Sequence, residues 1–234
     1  MSINNQVSGY SHSEKFYLAV DCIIFGFDKG KLKLLVFKRD VDPLRGEWSL
    51  LGSLVKENEN VGEAANRVLH QLTGLKNVFL KELRSYSEVD RDPGARCISI
   101  SHYSLIRFDE DVEQMIEEHG AHWFEFDELP ALILDHDDMV KDALTALKNE
   151  ARRRPIGFEL LPEQFTIPQL QSLYEAIYGT TLDSRNFRKK VLSFNVLQKS
   201  EDKDFSTSKK GAFLYRFDED KYNELVAKGF DFVV

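Results

Sequence analysis

Two stretches of the chain carry residues whose types and spacing point to chemistry. The first, GSLVKENENVGEAANRVLHQLTGL from Gly52 to Leu75, has the outline of a motif that holds magnesium against a pyrophosphate. A hard cation of that kind takes oxygen ligands, carboxylates above all. Glu59 lies in the loop and Arg67 eight residues on in a helical run, so the two are spaced to pair across loop and helix. The second stretch runs from Ser184 to Arg216, where nine basic residues stand against three acidic ones in a chain whose formal net charge is −8. A basic segment set inside an acidic protein is the electrostatic footprint of a nucleic-acid contact.

The elements that must position these residues fall into two unlike regions. From Phe16 to about Phe126 strands dominate. FYLAVDCIIFGF and LKLLVFKR flank the turn DKGK, and CISISHYSLIRF alternates as a half-buried strand does. One helix interrupts them, from Val61 to Thr73, with Val61, Ala65, Val68 and Leu72 at helical spacing and Gly74 at its stop. A second amphipathic helix follows in DHDDMVKDALTALKNEARRRP, with Met139, Val140, Ala143, Leu144 and Leu147 on one side; Arg152 to Pro155 then mark a domain boundary.

Beyond that boundary Thr166 is placed to N-cap a helix with Gln169 completing a capping box, Leu170, Leu173, Tyr174 and Ile177 forming its buried stripe and Gly179 ending it. The turn TTLD leads to a helix starting near Ser184. Its Phe187, Val191 and Phe194 share one face, and Arg185, Arg188 and Lys189 the opposite one. A polar loop, KSEDKDFSTSKK, precedes the strand GAFLYRFD. Helix, tight turn, basic helix, basic loop and strand is the order of a winged helix-turn-helix, whose second helix enters the major groove. A basic helix face is most often only a solvated face. Here Asn186 lies among the cations near the helix start, where side chains reach base edges, and the loop adds further cations for phosphates. The expected DNA contacts are Ser184, Arg185, Asn186, Arg188, Lys189, Lys190, Lys203, Lys209 and Lys210.

Composition bounds the setting. With 234 residues, 42% hydrophobic and 30% charged, the chain suits a globular protein of one or two cores. Cys22 and Cys97 both sit in apolar strand-like runs, which favours buried reduced thiols and a cytoplasmic protein. No apolar run approaches the roughly 18 residues that span a bilayer, so no membrane partner is expected, and residues 1–14 read as a flexible tail.

The stretch WSLLGSLVKENENVGEAANRVLHQLTGL resembles the Nudix box. With its final glycine on Gly74, the box's first glutamate falls on Glu59, its arginine on Arg67 and its closing aliphatic on Leu75. The opening glycine becomes Ser53, and the three helix glutamates become Val68, Gln71 and Leu72. Val and Leu supply no metal ligand and Gln only a neutral amide oxygen, so no catalytic residue, metal or cofactor is expected. DRDPGARCISISHY resembles the turn and strand of Nudix proteins that handle ADP-ribose, and FDELPALILDHDDMV the segment after it. With ELLPEQFTIPQLQSLYEAIYGTTLDSRNFRKKVL appended, the chain is similar over roughly residues 15–217 to the NrtR-type Nudix-related transcriptional regulators and their sugar-responsive, AraR-like relatives.

The resemblance implies an α+β protein in two parts. An N-terminal Nudix-like α/β/α sandwich over 15–154 would bind a small effector, and a C-terminal winged helix over 155–234 would bind operator double-stranded DNA, as a homodimer. Members of the group respond to ADP-ribose-like metabolites or to sugars. A diphosphate held without metal needs converging cations, available in Lys56, Arg84, Arg91 and Arg96; a pentose needs carboxylates, amides and an aromatic face, available in Asp40, Glu59, Gln71 and Tyr86. Loss of every helix carboxylate leans the reading toward a pentose such as L-arabinose, with an ADP-ribose-responsive regulator as the alternative and a Nudix hydrolase behind both.

Overall fold

The computed structural model describes residues 12–107, 110–205 and 210–229. The tail expected at the start therefore lies, over residues 1–11, outside the described residues, and so does Lys209. The chain begins with the hairpin β1 (Tyr17–Asp28) and β2 (Lys31–Lys38). Its two-residue loop places Lys29 and Gly30 at positive φ, 46° and 84°, as a turn matched to the right-handed strand twist requires. Then come β3 (Trp48–Ser49), β4 (Leu51–Leu54), α1 (Val61–Thr73), β5 (Lys81–Tyr86) and β6 (Cys97–Arg107). The helix α2 (Glu110–Glu118), the strand β7 (Ala121–Glu125) and the helix α3 (His136–Ala151) complete the first part.

One sheet collects these strands in the order β3-β2-β1-β6-β5, with β4 on β1 and β7 on β2. β1 is its axis, running parallel to β6 from Tyr17↔Cys97 to Phe27↔Arg107. Because side chains alternate along a strand, β1 serves two cores. Val20, Cys22 and Ile24 pack with Ala64, Ala65, Val68 and Leu69 of α1 and Ile116 of α2. Ile23 and Phe25 face the other way, onto Met139, Val140, Ala143 and Leu147 of α3. The sheet thus lies between two helical layers, the expected sandwich. Cys22 and Cys97 are both free and buried.

The second core continues without a break into the C-terminal part. It takes in Phe158 and Leu160 of a 3-10 turn, then Phe165 of β8 (Phe165–Thr166) and Ile167, Leu170, Leu173, Tyr174 and Ile177 of α4 (Ile167–Tyr178). Thr166 and Gln169 form the capping box, and Gly179 closes α4 with φ 67°. The tight turn leads to α5 (Ser184–Ser193), capped by the Asp183 carboxylate and burying Phe187 and Val191. The wing follows as β9 (Leu197–Asp204) and β10 (Ala212–Phe217), which with β8 form a three-stranded sheet, and α6 (Glu219–Ala227) comes last.

Three features differ from what the sequence suggests. The helices α2 and α6 do not stand out in it, since each has too short an apolar stripe; α2 is held by Ile116 alone as a fully buried side chain and α6 buries none. The stretch expected to be a polar loop from Lys199 onward is strand as far as Asp204. Pairing with β10 supplies its ladder, and Lys199 and Lys203 lie over the Phe213 ring at 3.5 and 4.6 Å, a cross-strand contact that a polar sequence does not advertise.

Candidate effector cavity and DNA interface

A charged residue in the apolar run AVDCIIF marks the first site. Asp21 on β1 is only 6% exposed. Its carboxylate accepts from the Ser99 hydroxyl on β6 and faces Gly52 of β4, whose missing side chain leaves the space; a Cβ there would lie 2.1 Å from Asp21 Oδ1. On the helical side His136, the first residue of α3, comes within 3.6 Å of Asp21 through Nε2. The Leu50 amide donates to His136 Nδ1 at 3.1 Å, which puts the ring's proton on Nε2, toward Asp21. Burial pushes the His136 pKa below its ordinary value, against the pull of Asp21 and Asp135. The ring is held neutral.

Arg91 completes the floor. Its side chain is 3% exposed, and it donates through Nε and Nη2 to the two oxygens of Asp135 at 2.8 and 2.6 Å. Nη2 lies 4.0 Å from Asp21. Burial works against the guanidinium charge, but the Asp135 pair outweighs it and the pKa stands above its usual value. Asp21, Gly52, Arg91 and His136 border a cavity of about 390 Å³ whose wall also includes Arg39, Asp42, Ser53, Leu54, Asp92 and Leu134. That volume falls within the range of small-molecule sites, about 300–1,000 Å³. Arg39 holds the rim by donating from Nε to the Pro43 and Val41 carbonyls at 2.7 and 3.1 Å.

The effector residues expected from sequence are dispersed around this cavity, and none of the six borders it. Asp40 is exposed beside Arg39. Glu59 is joined by Arg67 in a bidentate pair at 2.9 and 2.6 Å, and also accepts from the Lys56 amide. The Arg67 bonds, followed by the Lys56 amide, hold its pKa down at about 2. Arg67 donates further to Gln71 and to the Leu54 carbonyl, so the pair pins the loop to the helix. Arg84 and Tyr86 sit together on β5: the guanidinium lies over the ring at 4.6 Å, and both reach Asp142 of α3. Of the four cations considered for a phosphate, Arg91 alone borders the cavity, while Arg96 donates to the Glu88 carbonyl. The residues that sequence reasoning missed are Asp21, Arg39, Gly52, Asp135 and His136. The lone aspartate in an apolar strand was the one signal available.

The helix positions where a diphosphate-bound metal needs carboxylates do not fit one. Val68 is 1% exposed within the core against β1, Leu72 packs on the same cluster, and Gln71 is taken by Arg67. Among the described residues no group of three or more His, Cys, Asp or Glu is placed to hold a metal ion.

The second site is the surface of α5. Ser184, Arg185, Asn186, Arg188, Lys189 and Lys190 are all exposed, as Phe187 and Val191 take the buried positions between them. Arg188 Nη2 donates to Tyr215 on β10 at 3.4 Å, and Lys190 lies over the Phe194 ring at 5.6 Å. Lys203 stands on β9 and the exposed Lys210 just before β10, so the wing carries its cations beside the helix.

The two halves thus define a class: an α/β/α sandwich with a ligand-sized cavity, joined through a shared core to a winged helix-turn-helix with a basic second helix. Residues 15–143 match the family described as NUDIX domain, and residues 157–217 match the NrtR DNA-binding winged helix domain. The chain belongs to the NrtR-type family of Nudix-fused winged-helix transcription regulators. It is 29% identical to the ADPR responsive transcriptional repressor NtrR of Acinetobacter baylyi over 204 residues, 86% of this chain and 81% of that protein. It is 31% identical to the ADP-ribose pyrophosphatase of Methanocaldococcus jannaschii over 128 residues, 55% of this chain and 75% of that protein. Among solved structures, Shewanella oneidensis NrtR complexed with a 27mer DNA superposes with a TM-score of 0.75 at 23% identity, covering 87% of this chain and 94% of that one.

Proposed function

We propose that this protein is a transcriptional repressor whose Nudix domain binds ADP-ribose or a closely related nucleoside diphosphate sugar, and whose winged helix binds a two-fold operator as a homodimer in the cytoplasm. The observation that carries this reading is the position of the cavity. Its wall is the start of α3, through Leu134 and His136, and α3 shares a core with α4 of the winged domain. A ligand there touches the helix on which the DNA-binding domain rests. Arg39 and Arg91 border the same cavity beside the carboxylates of Asp21, Asp42 and Asp92; a bound anion would rest on those two guanidiniums, and it is a relative responsive to ADPR that supports an anionic effector. The pentose reading is the weaker one, because the ADPR-responsive relative favours the diphosphate.

A ligand shifts a regulator only by binding its DNA-free and DNA-bound arrangements with different affinity. A coupling of about 1–3 kcal/mol changes operator affinity by roughly 5- to 150-fold. The test is to titrate ADP-ribose and, separately, L-arabinose into a preformed complex with the protein's own promoter DNA and follow fluorescence anisotropy. Release by ADP-ribose alone is expected; release by arabinose alone would overturn the effector assignment. The hydrolase reading has the pyrophosphatase relative in its favour. Val68 and Leu72 weigh against it, and incubation with ADP-ribose and Mg²⁺ or Mn²⁺ is expected to give no product above background.

A further inference from the structure

The charges beneath the cavity do not balance. Arg91 is one guanidinium serving two carboxylates, with both oxygens of Asp135 at 2.8 and 2.6 Å and Asp21 at 4.0 Å. Of the other basic groups, His136 is buried and neutral and Arg39 has its Nε engaged by the Val41 and Pro43 carbonyls, while Asp42 and Asp92 add two more carboxylates to the wall. An anionic group of a ligand cannot simply join two carboxylates around one cation in a buried site, where like charges repel strongly. Displacing one carboxylate would relieve that repulsion.

The structure distinguishes which. Asp21 is locked into the sheet between β4 and β6 and held by Ser99. Asp135 lies at the junction into α3, directly after Leu134, a non-glycine residue in the left-handed region at φ 54° that also borders the cavity. That backbone conformation is strained for a residue with a Cβ. Asp135 also has somewhere to go. It occupies the N-cap position of α3, yet its side chain makes no cap hydrogen bond. In α1, α4, α5 and α6 the corresponding Asn60, Thr166, Asp183 and Asp218 all accept from the first turn. Aspartate is among the best N-caps, and a helix N-terminus favours a negative charge. Its carboxylate is spent on Arg91 instead.

We propose that an anionic oxygen of the bound effector, phosphate or carboxylate, takes Arg91 over from Asp135, and that the released Asp135 then caps α3. One carboxylate with two mutually exclusive partners makes the junction bistable, and occupancy of the cavity passes to the helix beneath the winged domain. This rests on the cavity being the effector site. Arg91 is then the residue that selects for an anion, and Asp135 the residue that reports its arrival.

Three substitutions separate the two partners of Asp135. Asp135→Asn and Asp135→Ser can cap but hold Arg91 without a charge; Asp135→Ala can do neither. With each full-length variant checked for its thermal transition, affinity for the promoter DNA is measured without ligand, alongside hydrogen exchange of the Asp137 and Asp138 amides. Asp135→Asn and Asp135→Ser should shift DNA affinity by about fivefold or more, in the direction that ADP-ribose shifts the wild type, and slow exchange at the start of α3. Asp135→Ala should keep the affinity of the ligand-free wild type. Equal shifts in all three variants, or none in any, would overturn the exchange. Failure of ADP-ribose to bind the wild type in calorimetry would instead overturn the effector assignment, while the ligand-free comparison still decides the role of Asp135.

Discussion

Gly52→Ala tests the architecture of the cavity floor most directly. Gly52 pairs with Asp21 across β1 and β4, and a Cβ would stand 2.1 Å from Asp21 Oδ1, 3.1 Å from its Cγ and 3.1 Å from the Val20 carbonyl oxygen. Backbone on one side and a buried carboxylate on the other leave no flexible end to yield. Overfilling a packed site costs about 1–3 kcal/mol, and driving Asp21 off the Ser99 hydroxyl in a buried place adds about 1–3 kcal/mol. A combined loss of about 3 kcal/mol lowers the melting temperature of a chain this size by roughly 6–12 °C. Thermal unfolding followed by circular dichroism measures it, in the wild-type background and beside Asp21→Ser, which removes the clashing carboxylate. In the second background Gly52→Ala should cost less, since only the close approach to the Val20 carbonyl remains, so the pair should show strong coupling. A loss of the same size in both backgrounds would refute the reasoning, because the clash would then not be with Asp21.

Other outcomes follow from the remaining interactions. Replacing Arg188 and Lys189 with Ala should weaken promoter binding and reduce the salt slope by about 0.9 for each phosphate no longer neutralised; an unchanged slope in anisotropy titrations would place the DNA elsewhere. His136 has a folded pKa below its unfolded value. Its contribution to stability is therefore fully present above about pH 6.5 and is lost as pH falls below that, an early acid step in unfolding that His136→Gln should remove. Glu59 has its pKa lowered from 4.5 to about 2 by the Arg67 pair and the Lys56 amide. Its contribution is present above pH 4.5 and lost as pH falls toward 2, so Arg67→Ala should flatten the pH dependence in that lower window alone.

Much of this protein was legible in one dimension, for a physical reason. Helix boundaries depend on groups within four residues of each other, so the run from Val61 to Gly74, the Thr166 and Gln169 box and the α5 pattern of Phe187 and Val191 could all be read directly. Alternation placed the strands, and the basic run from Ser184 announced the face that α5 exposes. The same locality allowed Glu59 and Arg67 to be paired. The cavity was different. It assembles Asp21 from β1, Gly52 from β4, Arg91 from a loop and His136 from α3, and which carboxylate meets which guanidinium depends on the parallel register of β1 and β6 and on where α3 begins. Sequence offered Glu59, Gln71, Arg84 and Tyr86 as equally plausible polar groups. Only the tertiary structure showed that these are spent on the loop latch and on Asp142, leaving Arg91 at the floor with Asp135 holding it, because contacts between residues 44 positions apart are fixed by packing and not by any local propensity of the chain.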